Sequence, residues 1–143
     1  MRLSSLRTPC AVIDVARLER NARAMTERVH RLGARLRPHV KTHKCVEVAT
    51  FSTVPFEQRP SVLGEPAHGP ITVSTMAEAC HFVAHGFSDI TWAQPINPHR
   101  IEEAFVLMAQ VDRFNLLVDS HAAIDALEAY AQRAGQVYAV YLK

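Results

Sequence analysis

The sequence predicts an α/β fold, a partial (β/α)8 TIM-type barrel with about five parallel barrel strands. Short runs of apolar and β-branched residues alternate with amphipathic helical stretches, the pattern of a layered α/β domain. After the first helix, strands begin near residues 36, 71, 90, 114 and 137, and the last three steps are close to evenly spaced. Strand alternating with helix at this period requires right-handed crossovers and hence a parallel sheet. A complete barrel needs about 250 residues and 143 are present, so residues 1–143 are read as a single domain forming part of one.

Each element has a local reason. Thr8-Pro9 opens an extended start, and Cys10 to Ile13 is a short apolar strand. Asp14 stands at an N-cap position, and Val15, Leu18, Ala22, Met25, Val29 and Leu32 recur at spacings of three and four, which predicts a helix running to about Gly33. Its other face carries Arg17, Arg20, Arg23, Arg28 and Arg31, a solvated basic face. Leu36 to Val40 is the next strand, but Pro38 has no N–H to donate, so its pairing must be edge-like or interrupted. Cys45 to Ala49 is helical. Residues 51–70 hold four prolines and two glycines and read as an irregular, exposed loop.

From there the rhythm is regular. Ile71 to Ser74 is a strand, and Thr75 with Glu78 three residues on has the form of a capping box, opening a helix that ends at Gly86. Ile90 to Ala93 is a strand. Pro98 starts a helix whose buried stripe is Ile101, Ala104, Phe105 and Met108. Phe114 to Val118 is a strand, with Asp119 as the cap after it. Ala122 to Ala134 is a helix ending at Gly135, and Val137 to Leu142 is an apolar strand that should pair further, within a longer barrel or by self-association.

Composition narrows the function classes. A net charge of +2 is too small to argue for nucleic acid, and no apolar run approaches the length of a membrane span. Cys10, Cys45 and Cys80 are widely spaced and form no metal-binding pattern, so free thiols in a reducing, cytoplasmic setting are expected, and no signal peptide is evident.

The chemistry concentrates in Arg37-Pro38-His39-Val40-Lys41-Thr42-His43-Lys44, at the end of a strand. Ligands of parallel α/β folds bind beyond the carboxyl ends of strands. A lysine there, partly desolvated and close to other cations, is pushed toward its neutral amine, which condenses with an aldehyde. Arg37, His39 and Lys44 supply such a field and suit a phosphate or carboxylate. On the residues alone, a Schiff-base Lys41 and a solvated basic loop both stand. His39 and His43 read equally as ligand contacts or as loop-stabilising hydrogen-bond partners. Cys45 reads as a buried structural thiol or, beside these cations, as a reactive one. Ser74 and Thr75 end a strand on the ligand-binding side or simply cap a helix. Trp92 and Gln94 read as core and turn. Asp119-Ser120-His121 has the composition of a triad but not its geometry, since sequence neighbours form no relay by themselves. His81, His85 and His99 carry no assigned role.

The string from Arg37 to Lys44, together with Thr8-Pro9, Val12, Asp14, Leu18 to Asn21, Gly69 to Ala79, Gly86-Phe87 and Asp89-Ile90, resembles the fold-type III pyridoxal-phosphate enzymes, the alanine racemase N-terminal domain superfamily. Within it the chain looks like the D-threonine aldolase and D-serine dehydratase branch. The resemblance implies a lyase acting on a small-molecule D-amino acid with pyridoxal 5'-phosphate as cofactor. It implies that Lys41 holds the cofactor as a Schiff base and moves protons at the substrate's α-carbon, with Arg37, His39, His43 and Ser74 around it. It covers only the first part of a family member, so the second half of the barrel and a C-terminal β domain, on which the Cys10 to Ile13 strand would pack, are missing. The phosphate-binding loop, the partner of the pyridine nitrogen and the divalent-metal ligands of full-length relatives also lie further along, and no metal ligand is assigned here.

Two further readings follow. One is a catalytically inactive barrel fragment that binds the cofactor weakly or not at all and self-associates. The other is a basic-loop module for nucleotides or phosphorylated ligands, which lacks a glycine-rich phosphate loop to support it.

Overall fold

The structure, a computed structural model, describes residues 3–53 and 69–143. Five helices, α1 (Val15–Arg31), α2 (Val46–Thr53), α3 (Met76–Ala84), α4 (Ile101–Met108) and α5 (His121–Ala134), alternate with four strands, β1 (Ile71–Val73), β2 (Asp89–Pro95), β3 (Arg113–Val118) and β4 (Ala139–Leu142). The strands form one sheet in the order β1-β2-β3-β4, every neighbouring pair parallel. Sequence order and spatial order coincide, as in the wall of a (β/α) barrel.

The caps explain where the helices lie. The Asp14 carboxylate accepts the Arg17 N–H at 3.0 Å and starts α1. Gly33, at φ 63°, ends it with paired bonds from Gly33 N–H to the His30 carbonyl and from Ala34 N–H to the Val29 carbonyl. Thr75 Oγ1 accepts the Glu78 N–H at 3.1 Å and starts α3. Ser120, not Asp119, caps α5: its Oγ accepts the Ala123 N–H at 3.3 Å, and Gly135 at φ 65° closes the helix.

Alternation along the strands separates two faces. Ile71 and Val73, Ile90 and Trp92, and Phe114, Leu116 and Val118 point to the helices and build the core with Ala79, Phe82, Phe87, Ile101, Ala104, Ala123 and Leu127. The opposite face carries Thr72, Thr91 and Asn115 side by side in register. Asn115 Nδ2 donates to Thr91 Oγ1 at 3.0 Å, which satisfies a buried amide in the sheet.

Three expectations change. The Leu36 to Val40 strand shrinks to one parallel bridge, His39 with Thr72, on the outer side of β1. Pro38 is the reason: it offers only its carbonyl, which accepts the Thr72 N–H at 2.8 Å, while Val40 N–H donates to the Thr72 carbonyl at 2.9 Å. Cys10 to Ile13 forms no strand among the described residues, and Val12 and Ile13 are exposed. Helix α2 continues to Thr53, three residues into the stretch read as a loop, and residues 54–68 of that stretch lie outside the described residues. Half of the α1 apolar stripe stays at the surface as well, with Met25 50% and Leu32 72% exposed.

Gly69 enters β1 against the end of α2. A Cβ at Gly69 would fall 2.5 Å from the Thr53 carbonyl oxygen and closer still to the Thr53 side chain. The Gly69→Ala substitution should therefore cost about 1–3 kcal/mol through overpacking. Urea unfolding measures it, and a midpoint equal to that of the parent would refute this packing.

Candidate functional site

The bridge to Thr72 fixes where the basic motif points. Residues before it run back along the amino ends of the strands, and residues after it emerge at the carboxyl ends. Arg37 belongs to the first group. Its Nη1 donates to the carbonyls of Ile71 (3.3 Å) and Asp89 (3.2 Å), the first residues of β1 and β2. Its Nη2 pairs with Asp89 Oδ1 at 2.6 Å, with both side chains about one-fifth exposed. Arg37 is thus committed to the opposite end of the sheet, where it ties two strand starts together.

His39, Lys41 and Ser74 come together at the carboxyl end. His39 Nε2 and Ser74 Oγ are 3.3 Å apart, and His39 Nδ1 accepts the Lys41 backbone N–H at 3.2 Å. With Nδ1 accepting, Nε2 carries the proton in the neutral ring and donates to the Ser74 hydroxyl oxygen. Burial and the neighbouring Lys41 ammonium lower the His39 pKa below 6.5, against a smaller opposing pull from Glu78. His43 faces back into its own turn: its Nδ1 accepts the Cys45 N–H at 3.1 Å, and burial lowers its pKa too. The imidazole at 39 therefore meets the site, while the one at 43 serves the loop.

The lysine side chains differ. Lys44 Nζ pairs with Glu78 Oε1 at 3.3 Å. The exposed Lys41 ammonium has no carboxylate partner among the described residues. Ser74 is a junction: its N–H donates to Glu78 Oε2 at 2.7 Å, its carbonyl accepts the Trp92 indole N–H at 3.0 Å, and its hydroxyl meets His39. Trp92 is buried, with Arg100 stacked 5.7 Å from its ring centroid, and acts as a support rather than a contact surface.

The remaining candidates resolve locally. Cys45 is not an activated thiol: burial and its hydrogen bond to Glu47 Oε2 (2.8 Å) raise its pKa. Gln94 is exposed. The Ser120 hydroxyl is spent on capping α5, so Asp119-Ser120-His121 forms no relay. His85 Nδ1 donates to the His81 carbonyl at 2.7 Å, a contact within α3 and its cap. Glu78 was legible only as a helix cap; the alternation of buried and exposed positions in α3 gave no sign that it reaches the lysine motif. No group of three or more His, Cys, Asp or Glu is placed to hold a metal ion among the described residues. No helix among them is long and apolar enough to cross a membrane.

The arrangement offers an amine without a counter-ion, an imidazole and a hydroxyl, all beyond the carboxyl end of a parallel sheet. Those groups suit an anionic ligand.

No family model matches the chain. It is 41% identical over 141 residues to the D-threo-3-hydroxyaspartate dehydratase of Delftia sp. strain HT23, covering 99% of this chain and 34% of that protein. It is 33% identical to the D-serine dehydratase of Dictyostelium discoideum, over 90% of this chain and 31% of that protein. A D-threonine aldolase of Arthrobacter sp. is also 33% identical, over 94% of this chain and 33% of that protein. The solved structure of the Delftia dehydratase superposes with a TM-score of 0.82 and 38% identity, covering 96% of this chain and 34% of that one. An alanine-racemase-like protein from Idiomarina loihiensis superposes with a TM-score of 0.76 at 30% identity, covering 89% of this chain and 31% of that one. The chain spans about a third of the length of these relatives. Over that span, in sequence and in fold, it is similar to D-threo-3-hydroxyaspartate dehydratases, D-serine dehydratases, D-threonine aldolases and alanine-racemase-like proteins.

Proposed function

We propose that the chain carries pyridoxal phosphate on Lys41 and contributes this part of the site to a lyase for D-amino acids with a β-hydroxyl group. The observation that carries the reading is the contrast between the two lysines of the motif. Lys44 is neutralised by Glu78, whereas Lys41, beside His39 and Ser74, is left without a counter-ion among the described residues. The substrate class comes from the relatives' names: D-serine, D-threonine and D-threo-3-hydroxyaspartate are all D-amino acids with a hydroxyl on the β-carbon.

Lys41 Nζ would hold the cofactor by its aldehyde group and, when free, would be the group that moves a proton at the substrate's α-carbon. The cofactor, when bound, supplies the electron sink for the bond broken at or next to that carbon. His39, kept neutral near pH 7, holds its ring by accepting the Lys41 N–H at Nδ1 and by donating Nε2–H to the Ser74 hydroxyl oxygen. The Ser74 hydroxyl meets His39, while His43 braces the turn that carries Lys41. Arg37 contributes rigidity at the far end of the sheet. A cytoplasmic setting suits the three free thiols, Cys10, Cys45 and Cys80.

One observation favours a second reading. Strand β4 is exposed along its whole length, with Tyr141 52% and Leu142 81% exposed. An apolar strand with a free edge pairs readily, so the chain by itself would be a self-associating, catalytically inactive barrel part.

The test is a visible spectrum after incubation with pyridoxal phosphate, followed by borohydride reduction and peptide mapping. The expected outcome is a label concentrated on the Lys41 peptide and lost in Lys41→Ala. A label shared evenly with Lys44 and Lys143, in a protein that elutes as an oligomer, would favour the second reading.

The histidines add a pH dependence. His39 and His43 have folded-state pKa values below 6.5, so the unfolded chain binds more protons in the window below that value. Their neutral forms favour folding. Stability should rise with pH between the lowered folded-state values and 6.5, be lost as pH falls through that window, and level off below it. Urea midpoints across the window should show the trend, and His39→Gln should flatten part of it. An equal slope in parent and variant would remove His39 from the account.

A further inference from the structure

Glu78 is buried, with 6% of its surface exposed, yet the function proposed above assigns it no task. A helix cap does not account for it. Its N–H already serves the cap by donating to Thr75 Oγ1. In a reciprocal capping box the acid would return to the N–H of the cap residue, Thr75. Here Oε2 reaches one residue further back, to the Ser74 N–H at 2.7 Å, and Oε1 reaches across to Lys44 Nζ at 3.3 Å. Burial pushes its pKa up, but the Ser74 N–H and the Lys44 ammonium outweigh it and hold Glu78 below 4.5, so the carboxylate is charged.

Lys44 is the other half of the device. Its φ of 51° is left-handed, a conformation that disfavours residues with a Cβ. Its N–H closes the turn onto the Val40 carbonyl at 2.8 Å. The bend that this residue makes carries its side chain to α3, while Lys41, three residues earlier in the same turn, is tied to His39 by its backbone N–H.

We propose that Glu78 is the positioning residue of this site: shared between the Ser74 amide and the Lys44 ammonium, its carboxylate holds the 40–44 turn so that Lys41, and not Lys44, presents the reactive amine beside His39. The proposal rests on Lys41 being the reactive lysine, and it is tested without cofactor so that the two ideas fail separately.

The experiment combines two measurements on the full chain, its Glu78→Gln variant and its Lys44→Gln variant. The first is the pH profile of acetylation by acetic anhydride, read residue by residue at Lys41 and Lys44 by peptide mapping. In the parent, Lys44, held against the Glu78 carboxylate, should acetylate more slowly than Lys41, and in Glu78→Gln the two should react at similar rates. The second is the proton NMR titration of His39. Removing the Glu78 charge should lower the His39 pKa further, and uncovering that charge in Lys44→Gln should raise it. A merely structural role would loosen the site in both variants and raise the His39 pKa toward its ordinary value in both. Lys44→Gln alters a largely exposed side chain, so an unmoved His39 pKa there still overturns the proposal if Glu78→Gln does not fold, while the opposite signs expected in Glu78→Gln separate it from a merely structural role. An unchanged Lys41-to-Lys44 acetylation ratio in folded Glu78→Gln, or a His39 pKa unmoved in Lys44→Gln, overturns the proposal. If the borohydride experiment fails to label Lys41 in the parent while these shifts appear, the positioning stands and the cofactor assignment falls.

Discussion

The site depends on two backbone hydrogen bonds across Thr72. Its N–H reaches the Pro38 carbonyl and its carbonyl receives the Val40 N–H, at 2.8 and 2.9 Å. They make up a single bridge, yet they set the register of the whole basic motif against β1. Because strand residues alternate in facing and advance by about 3.3 Å each, that register decides which residue reaches which end of the sheet. Arg37 falls at the amino ends, where Ile71 and Asp89 begin their strands and offer carbonyls. Lys41 falls past the carboxyl end, near the first residues after β1. A slip of one residue would turn the His39 side chain to the helix-facing core and remove its contact with Ser74.

The same bridge shows why a proline is tolerated in the motif. A central strand position would need the N–H that Pro38 lacks. At the end of a one-bridge pairing only its carbonyl is used, and the chain is free to turn at Lys41. A full strand through Lys44 would have carried the lysines away in a straight line. The short pairing and the left-handed residue at 44 instead fold the segment back over α3, so that two lysines three positions apart meet different environments.

Local signals were legible in the sequence where their physics is local. Asp14, Gly33, Thr75 and Gly135 mark helix ends because a cap needs only its own neighbours, and the strands at Ile71, Asp89, Arg113 and Ala139 follow from short apolar runs between them. The failures share one cause, a partner distant in the chain. Arg37 looked like a member of the cationic cluster because its ion-pair partner, Asp89, lies 52 residues away. Glu78 looked like half of a capping box because nothing within α3 announces Lys44. Cys10 to Ile13 has the composition of a strand, but a strand exists only where another lies beside it, and none does among the described residues. Of the residues that the sequence grouped around Lys41, His39 and Ser74 meet at the carboxyl end, whereas Arg37 pairs with Asp89 at the amino ends and His43 bonds within its own turn.

The sheet's two faces account for the rigidity that this site requires. The helix-facing side is close-packed with Ile71, Val73, Ile90, Trp92, Phe114 and Leu116, and holds the strands without regard to register along their length. The other side, in the row Thr72, Thr91, Asn115, is polar and buried at its centre. An apolar row would pack as well, but the Asn115 amide donates to Thr91 Oγ1 and to the Ile90 carbonyl of the neighbouring strand, and leaving a buried amide unpaired costs about 1–3 kcal/mol. That penalty fixes β2 against β3 in one register. Trp92, one residue beyond Thr91, then places its indole under the Ser74 carbonyl at a fixed height. The polar row thus extends to the site a constraint that hydrophobic packing cannot supply, from Asn115 through Trp92 and Ser74 to His39.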